Sequence, residues 1–317
     1  MNPALIITIV ISALVAFYFI LCGFLSRMIS FPKKHTYEEA VEYEKTVGNW
    51  GDYDSYKKEP FLLTSFDGYE LHALFIPAKK DSGKYVIISH GWTYLKTGSV
   101  KYVNLFHSLG YNVITYDNRG HGENKKFPCS MGYRESKDLL LMIDHVVKKY
   151  SPKVLGLHGE SMGSAISMIA LREKPPVNFA VLDCGYSDLK RLIKEIINRT
   201  ARAPMFLYYG MTLMSRLLYG FFIGQVRPID SMNDNEVPLC FIHGKADGFI
   251  LCSHSIRLKE ACKGYSEIHL IEGAGHVMSL DTARKEYYEI VKGFLSKVKN
   301  WTPCVPPVSS PLAATGP

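Results

Sequence analysis

The sequence predicts an α/β protein whose sheet is mostly parallel and is flanked by helices on both faces. The pattern opens with a hairpin signal, because Asp67-Gly68 separates two strand-like runs. Beyond it, short apolar runs alternate with longer helix-like segments, which is typical of parallel strands joined by crossover helices. Eight strands are expected, and the runs are Phe61–Ser65, Tyr69–Ile76, Tyr85–Ser89, Tyr111–Tyr116, Val154–His158, Phe179–Asp183, Leu239–His243 and Glu267–Ile271.

The helix-like segments lie between or after these runs. They are Ser99–Leu109, Glu135–Tyr150, Ser161–Leu171, Ser253–Cys262 and Thr282–Val298. A polar linker with helical character, residues 37–56, precedes the first strand. The main domain is therefore expected over residues 55–298.

The first segment differs in composition from the rest of the chain. Residues 4–25 carry no charge and are rich in Ile, Leu, Val and Phe, and this run of 22 residues is long enough to span a bilayer as a helix. A cleavable signal has a basic start and a shorter apolar stretch, whereas no Lys or Arg precedes this run. We predict a transmembrane anchor over residues 1–30, with a cleaved signal and a buried core helix as alternatives. Arg27, Lys33 and Lys34 follow the run and favour a cytoplasmic side for the domain.

Composition excludes several classes of protein and site. The net charge of +7 is not concentrated in dense Lys/Arg blocks, so nucleic acid is not expected as a partner, and an anionic membrane surface fits better. The seven cysteines are widely spaced and form no C-x-x-C pair, which argues against a disulfide framework and a structural zinc site and fits a mostly reduced compartment. Residues 299–317 are rich in proline and predict a disordered tail.

The strongest local motif is Gly159-Glu160-Ser161-Met162-Gly163. It follows an apolar strand-like run and opens a helix-like segment, which is the context of a nucleophile elbow. In such a turn the serine hydroxyl is exposed, and the flanking glycines allow strand and helix to approach closely. We therefore predict that Ser161 is a nucleophile. Glu160 is expected at the rim of the site rather than as a general acid.

A nucleophilic serine needs a base, and the base needs an acid that orients it. His276 follows the last predicted strand within Gly273-Ala274-Gly275-His276, and Asp247 follows the strand before it. Loops at the carboxyl ends of parallel strands converge, so these side chains can meet Ser161. Asp183, which ends an earlier strand, is the alternative acid.

An acyl transfer also needs hydrogen-bond donors for the oxyanion. The backbone N–H of Met162 directly follows the nucleophile, and that of Trp92 lies in the loop after the third predicted strand. His90 is expected to support this loop. The segment Tyr116–Gly122 resembles a reactive loop, but we predict an architectural role for it.

One connection is longer than a crossover requires. The 55 residues 184–238 contain the amphipathic segment Leu189–Ile197 and the aromatic-rich segment Met205–Phe222. We predict a helical lid whose apolar underside forms a wall of the substrate pocket. The candidate substrate-binding residues are Phe206, Tyr209 and Phe222.

The motif strings ISHGW, YDNRGHG, GESMG, KADGFI and GAGH occur in this order and resemble those of the α/β-hydrolase superfamily. The resemblance is to its serine-aminopeptidase-like and monoglyceride-lipase-like branch, and an anchor before such a domain is similar to bacterial membrane-anchored hydrolases. It implies an α/β-hydrolase fold. It also implies a role for five residues, namely Ser161, Asp247 and His276 as the triad, and Trp92 and Met162 as the oxyanion hole.

We therefore expect a serine hydrolase that cleaves short- to medium-chain acyl or aryl esters through an acyl-enzyme. The same residues also serve serine aminopeptidases and thioesterases, which remain alternatives. A non-catalytic, membrane-tethered interaction module is a further alternative, although a complete triad argues against it. The chain has no H-E-x-x-H, P-loop or G-x-G-x-x-G motif, so no metal or cofactor is expected.

Overall fold

A single eight-stranded sheet lies at the centre of the protein, whose structure is a computed structural model describing residues 2–202 and 204–299. Its strands β1 to β8 are Glu59–Thr64, Glu70–Ile76, Lys84–Ser89, Asn112–Tyr116, Val154–Glu160, Phe179–Asp183, Leu239–Gly244 and Ser266–Ile271. Their order across the sheet is β1-β2-β4-β3-β5-β6-β7-β8. The hairpin β1–β2 and the pair β2–β4 are antiparallel, and all other pairs are parallel. The predicted mostly parallel, eight-stranded sheet is confirmed.

Ten helices, α1 to α10, are found in the described part of the chain. They are Pro3–Ser30, Tyr37–Thr46, Val100–Ser108, Glu135–Tyr150, Met162–Ala170, Leu189–Ile196, Phe206–Tyr219, Ser253–Ala261, Ser279–Thr282 and Arg284–Val298. The predicted segments agree to within a few residues at each end. The helix predicted over Thr282–Val298 instead begins at Arg284, after a break at Ala283 with φ of −136° and ψ of 56°.

The sheet separates two hydrophobic cores because side chains of each strand alternate between its faces. On β6, Ala180 and Leu182 belong to one core, and Phe179 and Val181 belong to the other. Since both faces are covered, strands β3 to β7 are buried on both sides and appear in the sequence as largely apolar runs. The edge strand β8 is half-buried, and polar and apolar residues alternate along it. Because strands β3 to β7 are packed on both faces, the positions of their ends, and of the loops that follow them, are well defined.

Helix α1 has two parts with different surroundings. By length and composition it could cross a membrane, and its most apolar window is only 6% buried. Towards its end, however, Cys22, Ser26 and Ser30 are buried against the domain. The Ser30 carbonyl accepts a hydrogen bond from the Cys129 backbone N–H at 2.9 Å. The last turns of α1 are therefore packed as part of the folded domain.

The long connection between β6 and β7 contains α6, a π-helical turn at Ile197–Ala201, and α7. Asp188 caps α6 by accepting the Arg191 backbone N–H at 2.7 Å. Helix α7 packs lengthwise against α1, and Tyr18 Oη donates to the Phe206 carbonyl at 2.8 Å. The predicted tail at residues 299–317 lies, apart from Lys299, outside the described residues.

Candidate active site

Ser161 occupies a strained turn between β5 and α5, with φ of 55° and ψ of −113°. A residue with a Cβ rarely adopts these angles. The flanking glycines allow the turn, because a Cβ on Gly159 would lie 2.4 Å from the Gly163 backbone. A Cβ on Gly163 would lie 1.9 Å from the Ser89 carbonyl oxygen. The strand–turn–helix context of the motif is thus present, with the serine at its apex.

The structure brings Ser161, His276 and Asp247 together from three separate loops. Ser161 Oγ lies 3.0 Å from His276 Nε2, and His276 Nδ1 lies 2.7 Å from Asp247 Oδ2. The Asp247 side chain is fully buried, whereas the His276 side chain is 21% exposed. A hydroxyl, an imidazole and a carboxylate therefore form one hydrogen-bonded series that solvent reaches at the imidazole.

Asp247 is held by more hydrogen bonds than the one to His276. The backbone N–H groups of Phe249 and Ile250 donate to Oδ1 at 2.9 and 2.8 Å, and His243 Nε2 lies 3.2 Å from Oδ2. Burial acts to raise the pKa of Asp247, but the hydrogen bonds from His243 and His276 hold that pKa below its usual range. The carboxylate consequently stays ionised and orients the imidazole with its Nδ1–H towards Oδ2.

Asp183, the alternative acid, has other partners. Its two oxygens accept hydrogen bonds from Ser279 Oγ at 3.0 Å and from Tyr102 Oη at 3.1 Å. Burial, with a smaller contribution from the charge of Glu160, raises the pKa of Asp183 to about 6. The structure therefore places Asp247, and not Asp183, against the imidazole.

The loop after β3, to which the sequence assigns the second oxyanion donor, lies against the elbow. A Cβ built on Gly91 would lie 3.5 Å from Ser161 Cβ. His90 supports this loop, since its Nε2 accepts the Asn118 N–H at 2.9 Å and its Nδ1 donates to the Gly91 carbonyl at 2.8 Å. Burial lowers the pKa of His90, so the ring is neutral and able to accept.

In the sequence, Trp92 precedes the nucleophile and Met162 follows it. Met162 is the first residue of α5, directly after Ser161. Trp92 follows Gly91, and its indole Nε1 donates to the carbonyl of Ile29, in the last turn of α1, at 3.1 Å. The next residue, Thr93, has φ of 72° and accepts the His35 N–H at 3.0 Å. The end of α1 and the segment after it thus fix the outer side of this loop.

Glu160 is not at the rim of the site, so that expectation is wrong. Its side chain is 6% exposed, its Oε1 accepts the Tyr102 hydroxyl at 2.8 Å, and it pairs with Lys101 Nζ at 2.9 Å. The alternation of β5 explains this, because residue 160 points to the same face as His158, whose ring packs on Tyr102. A buried carboxylate needs a cation, and Lys101 supplies it.

Lys101, on α3, is a residue that the sequence did not single out. Its Nζ donates to the Val277 carbonyl at 2.7 Å and pairs with Asp281 at 3.3 Å, in addition to Glu160. Burial opposes the charge of Lys101, but Glu160 and Asp281 hold its pKa above the ordinary value. Glu160 precedes the nucleophile and Val277 follows the imidazole, so one ammonium group joins both loops. The only sequence signal is a lysine among apolar helix positions, which is not diagnostic.

The segment Tyr116–Gly122 makes architectural contacts in the structure. Arg119 is fully buried and pairs with Asp138 at 2.5 Å and Asp67 at 2.7 Å, while Asp117 pairs with Lys96 at 2.6 Å. The two pairs of Arg119 fasten the loop after β4 to the β1–β2 turn and to α4, and the Asp117–Lys96 pair fastens it to the turn after β3. No hydrogen bond or ion pair links these groups to Ser161, His276 or Asp247 among the described residues.

The three aromatic lid candidates face outward. Their exposed fractions are 55%, 57% and 39% for Phe206, Tyr209 and Phe222, respectively. The underside of α7 is formed instead by Tyr208 and Met211, which belong to the same core as Met162. The helical period separates Phe206 and Tyr209 from this underside, because residues 208 and 211 lie on the opposite face of α7. Phe222 lies beyond the end of the helix.

Phe249 is an aromatic residue beside the imidazole that the sequence did not single out. Its ring centroid lies 5.1 Å from that of His276 in an edge-to-face arrangement, and the residue is 39% exposed. It lies two residues beyond Asp247 in the same loop. This position makes Phe249 a candidate for lining the substrate pocket.

Cys184, Asp247 and His276 have donor atoms within 4.8 Å of one another, a grouping that could hold a metal ion. Burial, reinforced by the charge of Asp183, raises the pKa of the Cys184 thiol well above its ordinary value. A protonated thiol is a poor ligand, and the Asp247 and His276 atoms already bond each other. The donor set therefore does not fit a metal well.

Comparisons with known proteins agree with this geometry. Residues 80–202 match the family model for serine aminopeptidase, S33, a stretch that includes Ser161 and ends before Asp247. The structure superposes on that of the Pyrococcus furiosus esterase Pf2001 with a TM-score of 0.66, 24% identity, and coverage of 79% of this chain and 95% of the esterase. The chain therefore has the α/β-hydrolase fold.

Two further similar proteins differ in what is known of them. An uncharacterized Bacillus subtilis protein, YqkD, is 29% identical over 283 residues, which cover 87% of this chain and 92% of YqkD. The structure of a Pyrococcus horikoshii acylaminoacyl peptidase has a TM-score of 0.60 at 15% identity, covering 80% of this chain and 43% of the peptidase. The resemblance to the α/β-hydrolase superfamily is confirmed, and a serine hydrolase is supported.

Proposed function

We propose that this protein hydrolyses carboxylic esters through an acyl-enzyme formed on Ser161. The observation that carries the proposal is the hydrogen-bonded series Ser161–His276–Asp247, with separations of 3.0 and 2.7 Å. A serine hydroxyl attacks a carbonyl effectively only when a neighbouring base takes its proton. His276 is in position to do so, and Asp247 keeps it in the required tautomer.

In the first step, Ser161 Oγ bonds to the ester carbonyl carbon while its proton passes to His276 Nε2. The carbonyl oxygen becomes an oxyanion, to which the N–H groups of Met162 and Trp92 donate; one such donor contributes a factor of about 10²–10³ in rate. His276 then gives its proton to the leaving alkoxide as the C–O bond breaks. In the second step His276 takes a proton from water, the hydroxide attacks the acyl group, and Ser161 recovers its proton as the carboxylic acid leaves.

The site favours esters over the substrates of an aminopeptidase. An aminopeptidase binds the free α-ammonium group of its substrate, which requires an uncommitted anion near the nucleophile. Among the described residues, Glu160 is paired with Lys101, and Asp183 accepts the Ser279 hydroxyl and shares the Tyr102 hydroxyl with Glu160. Phe249 beside the imidazole is suited instead to an acyl or aryl group of short to medium length. Peptide or thioester cleavage by the same residues is the second candidate, supported by the description of the matched family model.

The proposal is tested with the purified full-length protein in detergent. We expect turnover of p-nitrophenyl esters to exceed that of aminoacyl-p-nitroanilides and acyl-CoA, and we expect Ser161→Ala to abolish it. Ser167→Ala is a matched control, because Ser167 lies on the same helix and bonds only to the Gly163 carbonyl. A faster anilide reaction would reverse the choice of substrate. No fluorophosphonate adduct on Ser161 would favour a non-catalytic, membrane-tethered interaction module.

We also propose that α1 is a retained single-pass anchor rather than a cleaved signal. A cleaved leader would remove the Ile29 carbonyl that accepts the Trp92 indole and the Ser30 carbonyl that accepts the Cys129 N–H. Arg27, Lys33 and Lys34 favour a cytoplasmic position for the hydrolase domain. An N-terminal epitope that survives in the mature membrane-bound protein supports retention, and its loss from the mature protein contradicts it.

A further inference from the structure

Helices α1 and α7 form a parallel pair along most of α7. The Tyr18 ring packs against that of Phe206 at 5.6 Å, near the start of α7. At the other end, the Phe31 ring, just beyond α1, packs against that of Tyr219 at 5.6 Å. The pair therefore runs side by side from about the level of Tyr18 to the end of α1.

The contact between the two helices is close because α7 carries a glycine at the crossing. A Cβ on Gly210 would lie 2.3 Å from Tyr18 Oη and 2.4 Å from Cys22 Sγ. A residue larger than glycine cannot occupy this position without separating the helices. Small residues at helix contacts are typical of helix pairs in membranes. This close contact around Gly210, Tyr18 and Cys22, called the seam below, thus fixes the position of α7 along the axis of α1.

Both helices carry an exposed apolar stripe. On α7, residues at intervals of three and four form one stripe, and on α1 a second stripe lies on the face turned away from Tyr18 and Cys22. The α7 stripe is Phe206 (55% exposed), Tyr209 (57%), Leu213 (40%) and Leu217 (68%). The α1 stripe is Ile20 (71% exposed), Phe24 (58%) and Met28 (52%). Exposed apolar stripes on two neighbouring helices are unusual on a protein that water surrounds on all sides.

The start of α7 lies beside the point on α1 at which a bilayer-spanning length of helix ends. About 20 helical residues span the roughly 30 Å of hydrocarbon, and Pro3 to Cys22 is such a length. Cys22 lies at the seam beside Leu207 and Gly210. Arg27 on α1 and Arg216 on α7 follow one or two turns later, as expected of groups at headgroup level. The start of α7, with Phe206 and Tyr209, therefore lies where acyl chains meet headgroups, and the rest of α7 continues alongside the end of α1.

We propose that the first turns of α7 lie at the membrane interface, where Phe206 and Tyr209 insert into the headgroup–acyl boundary of a phospholipid bilayer beside the spanning helix α1. The partner of this surface is the lipid, and the lid is part of the membrane interface. The inference rests on the proposal that α1 spans the bilayer. It does not depend on the esterase activity.

Tryptophan substitutions at exposed positions test this placement. The full-length protein is reconstituted in vesicles of phosphatidylcholine and phosphatidylglycerol, with the phosphatidylcholine brominated near the glycerol end of its acyl chains. Bromine quenches the fluorescence of a nearby indole. The quenching measured for the protein without substitutions is subtracted. Tyr209→Trp on α7 is the probe and Ile9→Trp within α1 is the reference for the span. Leu62→Trp, at a leucine 52% exposed on the edge strand β1, is the matched control.

We expect quenching of Tyr209→Trp and Ile9→Trp, and none of Leu62→Trp. If only Ile9→Trp is quenched, α1 spans the bilayer but α7 stays in water, and the inference is overturned. If neither helix probe is quenched, the anchor itself is also refuted. An unquenched Tyr209→Trp in a protein that light scattering finds to be a dimer overturns the inference in favour of a second copy of the chain.

Discussion

Lys101 Nζ donates a hydrogen bond to the Val277 carbonyl at 2.7 Å, and Val277 has φ of 59°. A β-branched residue at such an angle is strained by about 1–3 kcal/mol, so surrounding contacts must hold it. Because Val277 directly follows His276, Lys101 acts as a positioning residue for the imidazole.

Replacing this lysine is expected to affect the reaction more than the binding of substrate. We expect Lys101→Met to lower kcat on a p-nitrophenyl ester by roughly 10- to 100-fold with little change in KM, since small misplacements of reacting groups are costly. Steady-state kinetics measure this split between kcat and KM. The rate of fluorophosphonate labelling of Ser161 should fall in parallel.

Lys96→Met is the matched control for this change. Lys96 also pairs with a buried carboxylate, Asp117, but has no contact with the loop of His276. Both variants leave a buried carboxylate without its cation and should lose about 3–5 kcal/mol of unfolding free energy. Only Lys101→Met should lower kcat of the folded protein. An equal loss of kcat in both variants would mean that Lys101 has no specific role.

The two candidate acids differ in the expected effect of an amide substitution. Asp247→Asn should lower kcat by about 10³–10⁴, because an asparagine no longer holds the imidazole in the productive tautomer. Asp183→Asn should retain most of the activity, since Asp183 bonds Ser279 and Tyr102 instead. The kcat values of the two variants decide between them. A larger loss of kcat in Asp183→Asn than in Asp247→Asn would mean that Asp183, and not Asp247, is the acid.

Two glycine-to-alanine changes should have opposite effects on stability. Gly163→Ala places a Cβ 1.9 Å from the Ser89 carbonyl oxygen and should prevent formation of the elbow. Gly293→Ala, inside α10, meets nothing within 4 Å and should add about 0.5–1 kcal/mol of unfolding free energy, because alanine favours helix. Thermal unfolding in detergent measures both. A stable, active Gly163→Ala protein would contradict the close approach.

Glu44, on α2, makes part of the stability depend on pH. Burial raises its pKa from 4.5 to about 7, so the folded state binds more protons than the unfolded state between these values. The free energy of unfolding therefore falls as pH rises from 4.5 to 7, and this contribution stays absent above pH 7. Glu44→Gln should remove about 2–3 kcal/mol of the decrease between pH 4.5 and pH 8. Urea unfolding of both proteins at the two pH values measures the difference, and parallel pH dependence would contradict the assignment.

The sheet and the Ser161 elbow could be predicted from sequence because local signals agree with the fold. Each of the strands β3 to β7 is a largely apolar run, since it is covered on both faces, and the turn after β5 needs two glycines at fixed spacing. The convergence of the Asp247 and His276 loops follows from the rule that carboxyl ends of parallel strands share one edge.

The features that sequence reasoning missed depend on contacts between distant segments. The burial of Glu160 depends on Lys101, which is 59 residues earlier and on another element. The outward orientation of Phe206 and Tyr209 depends on which face of α7 meets the core and α1. Aromatic content predicted a lid, but it does not specify which side of the helix is buried.

The hydrogen bond from the Trp92 indole to the Ile29 carbonyl limits how the protein can be shortened for work in solution. A chain that starts after residue 30 loses this acceptor and also the Ser30 carbonyl that the Cys129 N–H requires. Each donor left without a partner costs about 1–3 kcal/mol. A chain that starts near Tyr18 keeps both acceptors and discards only exposed turns, so soluble versions intended for crystallisation are best designed from there.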